Sequence, residues 1–243
     1  MSIVYVDLEH DRVMADATGG VSHRTRRNAA RARLAAAAGE PCDVVRFENV
    51  TVDRIRSLAP SAMVISGNTA DWSEYDFATL TGLLETIRAA PIPILGICGG
   101  HQLIGHAHGA SWAALGPVRD GAIDPHPRFA PGLRKERGFL PIDVDRSSPL
   151  FQGLGDAPVV FQSHYWHLTG VPAGFTVCAS SLDSPIQAIA RQDRPVFGVQ
   201  FHPERYDDDH RDGEMVVQNF FAIARDNPPS PIATSQSREL PRD

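Results

Sequence analysis

Cysteine is scarce in this chain of 243 residues, which carries only Cys42, Cys98 and Cys178. An odd, widely spaced set excludes a disulfide framework and points to a reducing compartment. Lysine is scarcer still: Lys135 stands alone beside abundant arginine. No apolar run approaches the ~20 residues a helix needs to cross a bilayer, so no membrane partner is expected. The first residues lack a basic region followed by a long apolar stretch, which excludes a secretion signal. The cytoplasm is therefore the expected location. Surplus positive charge is missing too. The net charge is −6, with a pI of about 5.9, and that balance gives no sign of a nucleic-acid partner.

What remains is an ordinary globular composition, 42% hydrophobic and 21% charged, at a length that suits one domain. The first half alternates strand and helix signals. Ile3–Asp7, Asp43–Phe47, Ala62–Ser66 and Pro93–Ile97 are short β-rich runs. Between them, Thr25–Ala38, Val52–Leu58 and Phe77–Ala90 read as helices. This rhythm predicts a mixed, mostly parallel sheet between helices, a three-layer α/β sandwich. In the second half the strand candidates crowd together: Leu140–Val144, Val159–Gln162, Phe175–Ala179, Ile186–Ala190 and Val196–Gln200. The gaps are mostly too short for crossover helices, so antiparallel pairing is predicted there. Gly116–Arg134, rich in Pro and Gly, reads as a surface loop, and Gly213–Ala224 as a last helix. The domain is expected to span residues 1–225, with a disordered tail over 226–243.

The strongest local signal is Gly96-Ile97-Cys98-Gly99-Gly100-His101-Gln102. An apolar strand ends, a cysteine sits between glycines two residues away on either side, and a helix begins. This is a nucleophile elbow with sulfur in place of a serine hydroxyl. The sharp turn strains the backbone at the nucleophile, and glycine flanks avoid Cβ clashes there. The helix N-terminus directs its free N–H groups and positive dipole end at the sulfur, which favours thiolate.

A thiolate that attacks an amide also needs a proton donor for the departing amine. Gly198-Val199-Gln200-Phe201-His202-Pro203-Glu204 supplies one. In extended chain, His202 and Glu204 share a face, so the carboxylate can orient the imidazole as the third member of a triad.

Together these segments resemble the class I, triad-type glutamine amidotransferases, which carry a Gly-x-Cys-x-Gly-x-Gln motif and a late His-Pro-Glu. The resemblance covers about residues 1–225 and implies a flavodoxin-like fold and glutaminase activity on L-glutamine. It implies that Cys98 forms a γ-glutamyl thioester, that His202 moves the protons, and that Glu204 orients His202. It places the oxyanion hole at the N–H groups of Gly67, Asn68 and Gly99. Gln102 and the backbone of Ser163, His164 and Tyr165 would hold the substrate's amino acid end. No metal and no cofactor are implied. The family's oxyanion loop usually reads Ser-Gly-Gly-Pro, whereas this chain has Ser66-Gly67-Asn68-Thr69. Asn tolerates left-handed backbone, so the loop can keep its shape, with either Gly67 or Asn68 presenting the donor. A peptide flip at this loop is expected to act as an activity switch.

The resemblance also implies that ammonia passes to a separate synthetase partner. Two rivals stand beside this reading: a free-standing γ-glutamyl hydrolase with the same triad, and a non-catalytic glutamine sensor. His101, His106 and His108 have the wrong spacing for one metal-binding helix face. Asp207–Gly213 has the wrong carboxylate spacing for a calcium loop. Trp72, Trp112 and Trp166 read as packing residues, with Trp166 the best candidate for ligand contact.

Overall fold

Ile3–Asp7 is apolar almost to its end, the composition of a strand covered on both faces. In the computed structural model, which describes residues 1–228, this run is β1 and all five of its residues are buried. Two helices follow, α1 (Asp11–Ala15) and α2 (Ala17–Ala38). α2 begins well before the predicted Thr25. The Asp16 carboxylate caps it by accepting from the N–H groups of Thr18 and Gly19, which offsets the poor helix propensity of Gly19 and Gly20. It ends where predicted, at Gly39, whose φ of 70° closes the last turn. The alternation continues through β2 (Cys42–Arg46), α3 (Val52–Leu58), β3 (Met63–Ile65), α4 (Thr81–Ala89), β4 (Ile94–Ile97) and α5 (Gly99–Ala107). The start of the helix predicted from Phe77 is a 3-10 turn, Phe77–Leu80, that feeds α4.

The second half holds β5 (Trp112–Ala114), β6 (Glu136–Pro141), β7 (Asp143–Val144), β8 (Val159–His164), β9 (Trp166–Leu168), β10 (Phe175–Ser180), β11 (Ala188–Arg191), β12 (Val196–Val199) and α6 (Asp212–Asp226). The main sheet has eight strands in the order β2-β1-β3-β4-β12-β11-β10-β7. Strands β2 to β4 and β12 run parallel to their neighbours on that side, whereas β11, β10 and β7 extend the sheet antiparallel. Antiparallel pairing of the late strands therefore needs one correction. β12 pairs antiparallel with β11 but parallel with β4, Val196 opposite Ile94 and Val199 opposite Ile97. All four of its residues are buried, as an interior strand requires. β6 with β8, and β5 with β9, form two separate ribbons.

Alternation along β1 divides the core. Ile3 and Tyr5 pack with Leu34 of α2 and Phe220 of α6. Val4 and Val6 pack with Ile55 of α3, Leu83 of α4 and Leu103 of α5. The result is the three-layer sandwich. Among the described residues no helix is long and apolar enough to cross a membrane. α6 runs to Asp226, one residue into the predicted tail; from residue 229 the tail lies outside the described residues. For function, the decisive feature is the β4–β12 pairing. Because Ile97 and Val199 are partners, the chain following each strand emerges at the same sheet edge.

Candidate active site

Cys98 follows β4 and opens α5 with φ 51° and ψ −104°. That is left-handed territory, costly for any residue with a Cβ. The turn is so tight that a Cβ on Gly96 would lie 2.5 Å from the Gly100 carbonyl oxygen. Glycine at both flanks is thus a packing requirement. The Cys98 N–H is tied to the Val199 carbonyl at 2.8 Å, fastening the turn to β12.

His202 and Glu204 lie beyond the end of β12. The His202 Nδ1 is 2.8 Å from Glu204 Oε1, and the imidazole and the Cys98 side chain both lie against Gly67. The pairing arises differently from the predicted extended face. The strand stops at Val199, and residues 202–205 form a turn in which the Arg205 N–H donates to the His202 carbonyl at 3.1 Å. Pro203, with its fixed φ, suits the second position of such a turn. Burial disfavours the charged imidazole, but the Glu204 carboxylate and the adjacent sulfur outweigh it and raise the His202 pKa to about 10. Gln200 completes the surroundings, its Nε2 3.6 Å from the sulfur.

The loop after β3 comes against Cys98. A Cβ on Gly67 would sit 3.1 Å from the Cys98 Cβ and 3.0 Å from the His202 ring, so any larger residue would have to push one of them aside by a few tenths of an ångström. Among the described residues, the N–H groups of Gly67, Asn68 and Gly99 donate to no other group. The loop is held by a residue the sequence did not single out. Glu9, only 1% exposed, accepts from the Thr69 N–H and hydroxyl, the latter at 2.6 Å, and from the Ala70 N–H. His23 and Asp7 stand behind it, 3.0 Å apart. The Asn68 amide donates to the Ala70 carbonyl at 2.8 Å. These contacts fix Thr69 and Ala70, and the Ser66 hydroxyl donates to the Gly67 carbonyl at 2.8 Å, so the Gly67–Asn68 peptide is tethered as well.

Cys98, His202, Glu204, Gly67, Asn68, Gln102, Ser163, His164 and Tyr165 all line one cavity of about 610 Å³; Gly99 adjoins it as the first residue of α5. Gln102 is 2% exposed, with its amide already engaged by Trp72 Nε1 at 2.6 Å and by Gln200 Oε1 at 3.0 Å. Ser163 and His164 end β8. The His164 ring faces inward, Nδ1 2.9 Å from the Trp166 carbonyl and Nε2 3.0 Å from Glu136, which leaves its backbone as the part free to meet a ligand. Asp71, also unforeseen, accepts from the Tyr165 hydroxyl and the Trp166 indole N–H and ties this wall to the segment that follows the Ser66–Thr69 loop. Trp166 lines the cavity with Trp72, whereas Trp112 stacks on Trp72 from outside it. His101 is buried, His106 packs on Phe77 and Trp112, and His108 packs on Phe175. Asp207 accepts from Asp209 and His210 N–H groups within its own loop.

The sequence profile of the glutamine amidotransferase class-I family matches residues 22–224. A glutamine-hydrolyzing GMP synthase from Campylobacter lari is 31% identical over 72% of this chain. The chain spans only 30% of that protein's length. A protein of Pyrococcus abyssi named as one subunit of glutamine-hydrolyzing GMP synthase is 30% identical over 70% of this chain and 78% of its own. Among solved structures, a candidate GMP synthase subunit from Thermoplasma acidophilum superposes with a TM-score of 0.69. It covers 93% of this chain and 95% of its own at 24% identity, a likeness of fold.

Proposed function

The chain belongs to the class-I glutamine amidotransferase family, and from that premise we propose how its cavity hydrolyses L-glutamine and where the ammonia goes. The observation that carries the reading is the meeting, at one sheet edge, of a strained cysteine with a carboxylate-oriented imidazole.

Cys98 attacks the side-chain amide carbon of glutamine as thiolate, and the carbonyl oxygen takes up negative charge. The unpaired N–H groups of Gly67 or Asn68 and of Gly99 stabilise that charge, which exists only in the transition state. The charged His202 gives its proton to the departing nitrogen, ammonia leaves, and a γ-glutamyl thioester remains on Cys98. Neutral His202 then takes a proton from water as it attacks the thioester, releasing glutamate and restoring the thiolate–imidazolium pair. Glu204 holds the ring in the productive tautomer throughout. The backbone of Ser163, His164 and Tyr165, with Gln102, grips the amino acid end. No step calls on a metal or cofactor.

The ammonia is delivered to a separate synthetase partner. Likeness to proteins named as a single subunit of GMP synthase, which this chain matches over most of their length, supports a two-protein arrangement. GMP formation is the acceptor reaction those names point to. The test is ammonia release from L-glutamine by the purified chain, with and without a GMP-synthase-type synthetase and its substrates. γ-Glutamyl dipeptides serve as competitors. Turnover of glutamine that rises at least tenfold with the synthetase supports the reading. Faster cleavage of dipeptides than of glutamine would transfer the chain to the free-standing hydrolases.

A further inference from the structure

Five arginines line the cavity; Arg27 is ion-paired with Asp7 at 3.4 Å, and the other four, beside the His202–Glu204 turn, come from three separate elements. Arg26 and Arg33 come from α2, Arg137 from β6, and Arg205 from the turn itself. None has a carboxylate within ion-pairing distance among the described residues. Elsewhere among the described residues some arginines are ion-paired, as in Arg12–Glu74, Arg46–Glu48 and Arg134–Asp183, and others, such as Arg54 and Arg88, are not. The cavity's own acids are engaged: Glu9 with Thr69, Glu204 with His202, and Asp207 with His210.

Three of the guanidinium groups are stacked on rings. Arg205 lies 3.7 Å over Phe161, Arg33 lies 4.4 Å over Tyr206, and Arg137 lies 4.5 Å over Phe129. Stacking holds the plane of a guanidinium while leaving N–H edges free to bond. Arg33 is further fixed by donating to the Glu204 carbonyl at 2.8 Å. The four lie close enough to influence one another. Burial lowers the Arg205 pKa, and the like charges of Arg26, Arg137 and Arg33 lower it further against the pull of Glu204. Like charges held together without a counter-ion are destabilising, so the arrangement makes sense when an anion completes it.

We propose that these arginines form an anion subsite next to the glutaminase centre, which takes a small multivalent anion, a phosphate or polycarboxylate group. Planar guanidinium forks match both groups bidentately. A compact ligand fits better than a flat protein surface, because the arginines line a concave wall, Arg33 and Arg205 partly buried within it and Arg26 and Arg137 exposed at its rim. The cavity volume of about 610 Å³ falls in the ~300–1,000 Å³ range of pockets for drug-sized ligands, beyond what one free amino acid fills. Through Arg33 and its bond to the Glu204 carbonyl, the bound anion is in direct connection with the catalytic turn.

Titration calorimetry at constant ionic strength tests this, with inorganic pyrophosphate and citrate as probes and a penta-aspartate peptide as the protein-like alternative. The purified full chain should bind pyrophosphate or citrate saturably, one per chain, in the presence of saturating L-glutamate. The tighter of the two assigns phosphate or polycarboxylate. The double variant Arg26→Met/Arg137→Met should raise that Kd at least tenfold, while Arg54→Met on α3 should leave it within twofold. Circular dichroism checks that both variants fold. Since binding and not turnover is read, the Cys98→Ala protein should give the same result, so failure of the glutaminase reading stays separate. Absence of saturable binding, an unchanged Kd in the double variant, displacement by L-glutamate, or tighter binding of the peptide than of either small anion would each overturn the proposal.

Discussion

Burial does not distinguish the three cysteine regions of this molecule. Cys98 at the β4–α5 turn is 6% exposed, Cys42 at the start of β2 is 1%, and Cys178 inside β10 is 3%. What differs is the surroundings. Cys42 begins a strand and Cys178 sits at an irregularity within β10, and burial pushes their thiols up to about 11 and about 12. They stay protonated and serve as small apolar side chains. Cys98 occupies a left-handed turn at a helix N-terminus, against a charged imidazole and a cavity. On the proposed reading, reactivity belongs to the turn that carries the sulfur and to what the sheet edge brings to it.

The sharpest way to break the contrast is Cys98→Ala. Glutamine hydrolysis should fall by at least ~10³-fold, as losses of covalent nucleophiles do. Thermal unfolding, followed in parallel, should remain a single cooperative transition. Activity within tenfold of wild type would remove the distinction between Cys98 and the other two.

The next largest effect should come from Glu204→Gln, which keeps the shape of the dyad but not its charge. A loss of roughly 10²–10⁴ in kcat is expected. The pH profile carries the finer information. His202 is raised, so its charged form is favoured in the folded protein. That stabilisation is fully present below the free imidazole value near 6.5 and is lost as pH rises through about 10. Wild-type kcat/KM should therefore hold into the alkaline range and decline near pH 10. In Glu204→Gln the decline should move to lower pH, because the strongest influence raising His202 has gone. An unmoved alkaline limb would contradict this account of the dyad.

Glu9 extends the comparison from the sulfur to the loop that faces it. Glu9→Ala should lower kcat by roughly 10–10²-fold, with KM changing less, because it frees the loop that presents an oxyanion donor. Glu9→Gln, which can still accept from Thr69 and Ala70, should recover part of the loss. Equal kcat and KM defects in both variants, matching their losses of thermal stability, would reduce Glu9 to a packing role.

The smallest effect belongs to Cys42→Ser and Cys178→Ser. Turnover should stay within about twofold of wild type. Thermal stability should drop by about 1–3 kcal/mol where the buried hydroxyl has no partner, and by less at position 178, where the buried Ser148 hydroxyl lies alongside.

The sequence disclosed the parallel half of this fold better than the antiparallel half. Apolar runs such as Ile94–Ile97 end in glycine turns, and helices of matching length separate them, so β-α alternation and the elbow are both local signals. Gln102, His202 and Glu204 share short segments with strand ends, so their candidacy rests on local signals too, although a turn and not an extended face joins His202 to Glu204. Glu9 was not readable. Its partners Thr69 and Ala70 lie 60 and 61 residues away, and nothing near Glu9 marks it as a loop anchor. The arginines of the cavity wall come from α2, β6 and the β12–α6 connection, and only the folded chain gathers them. The insertion of β12 beside β4 was equally hidden, because its short link to β11 signals only the antiparallel contact. Gln200 stood in plain view before His202, and its position just past a buried strand was the one clue to its contact with the sulfur.

The most direct measurement is labelling of the intact protein with a glutamine-like chloroketone, read by peptide mapping alongside residual activity. The account expects one label per chain, on Cys98, with activity lost in proportion and L-glutamine protecting against both. Label found mainly on Cys42 or Cys178, or activity retained with Cys98 fully modified, would contradict it.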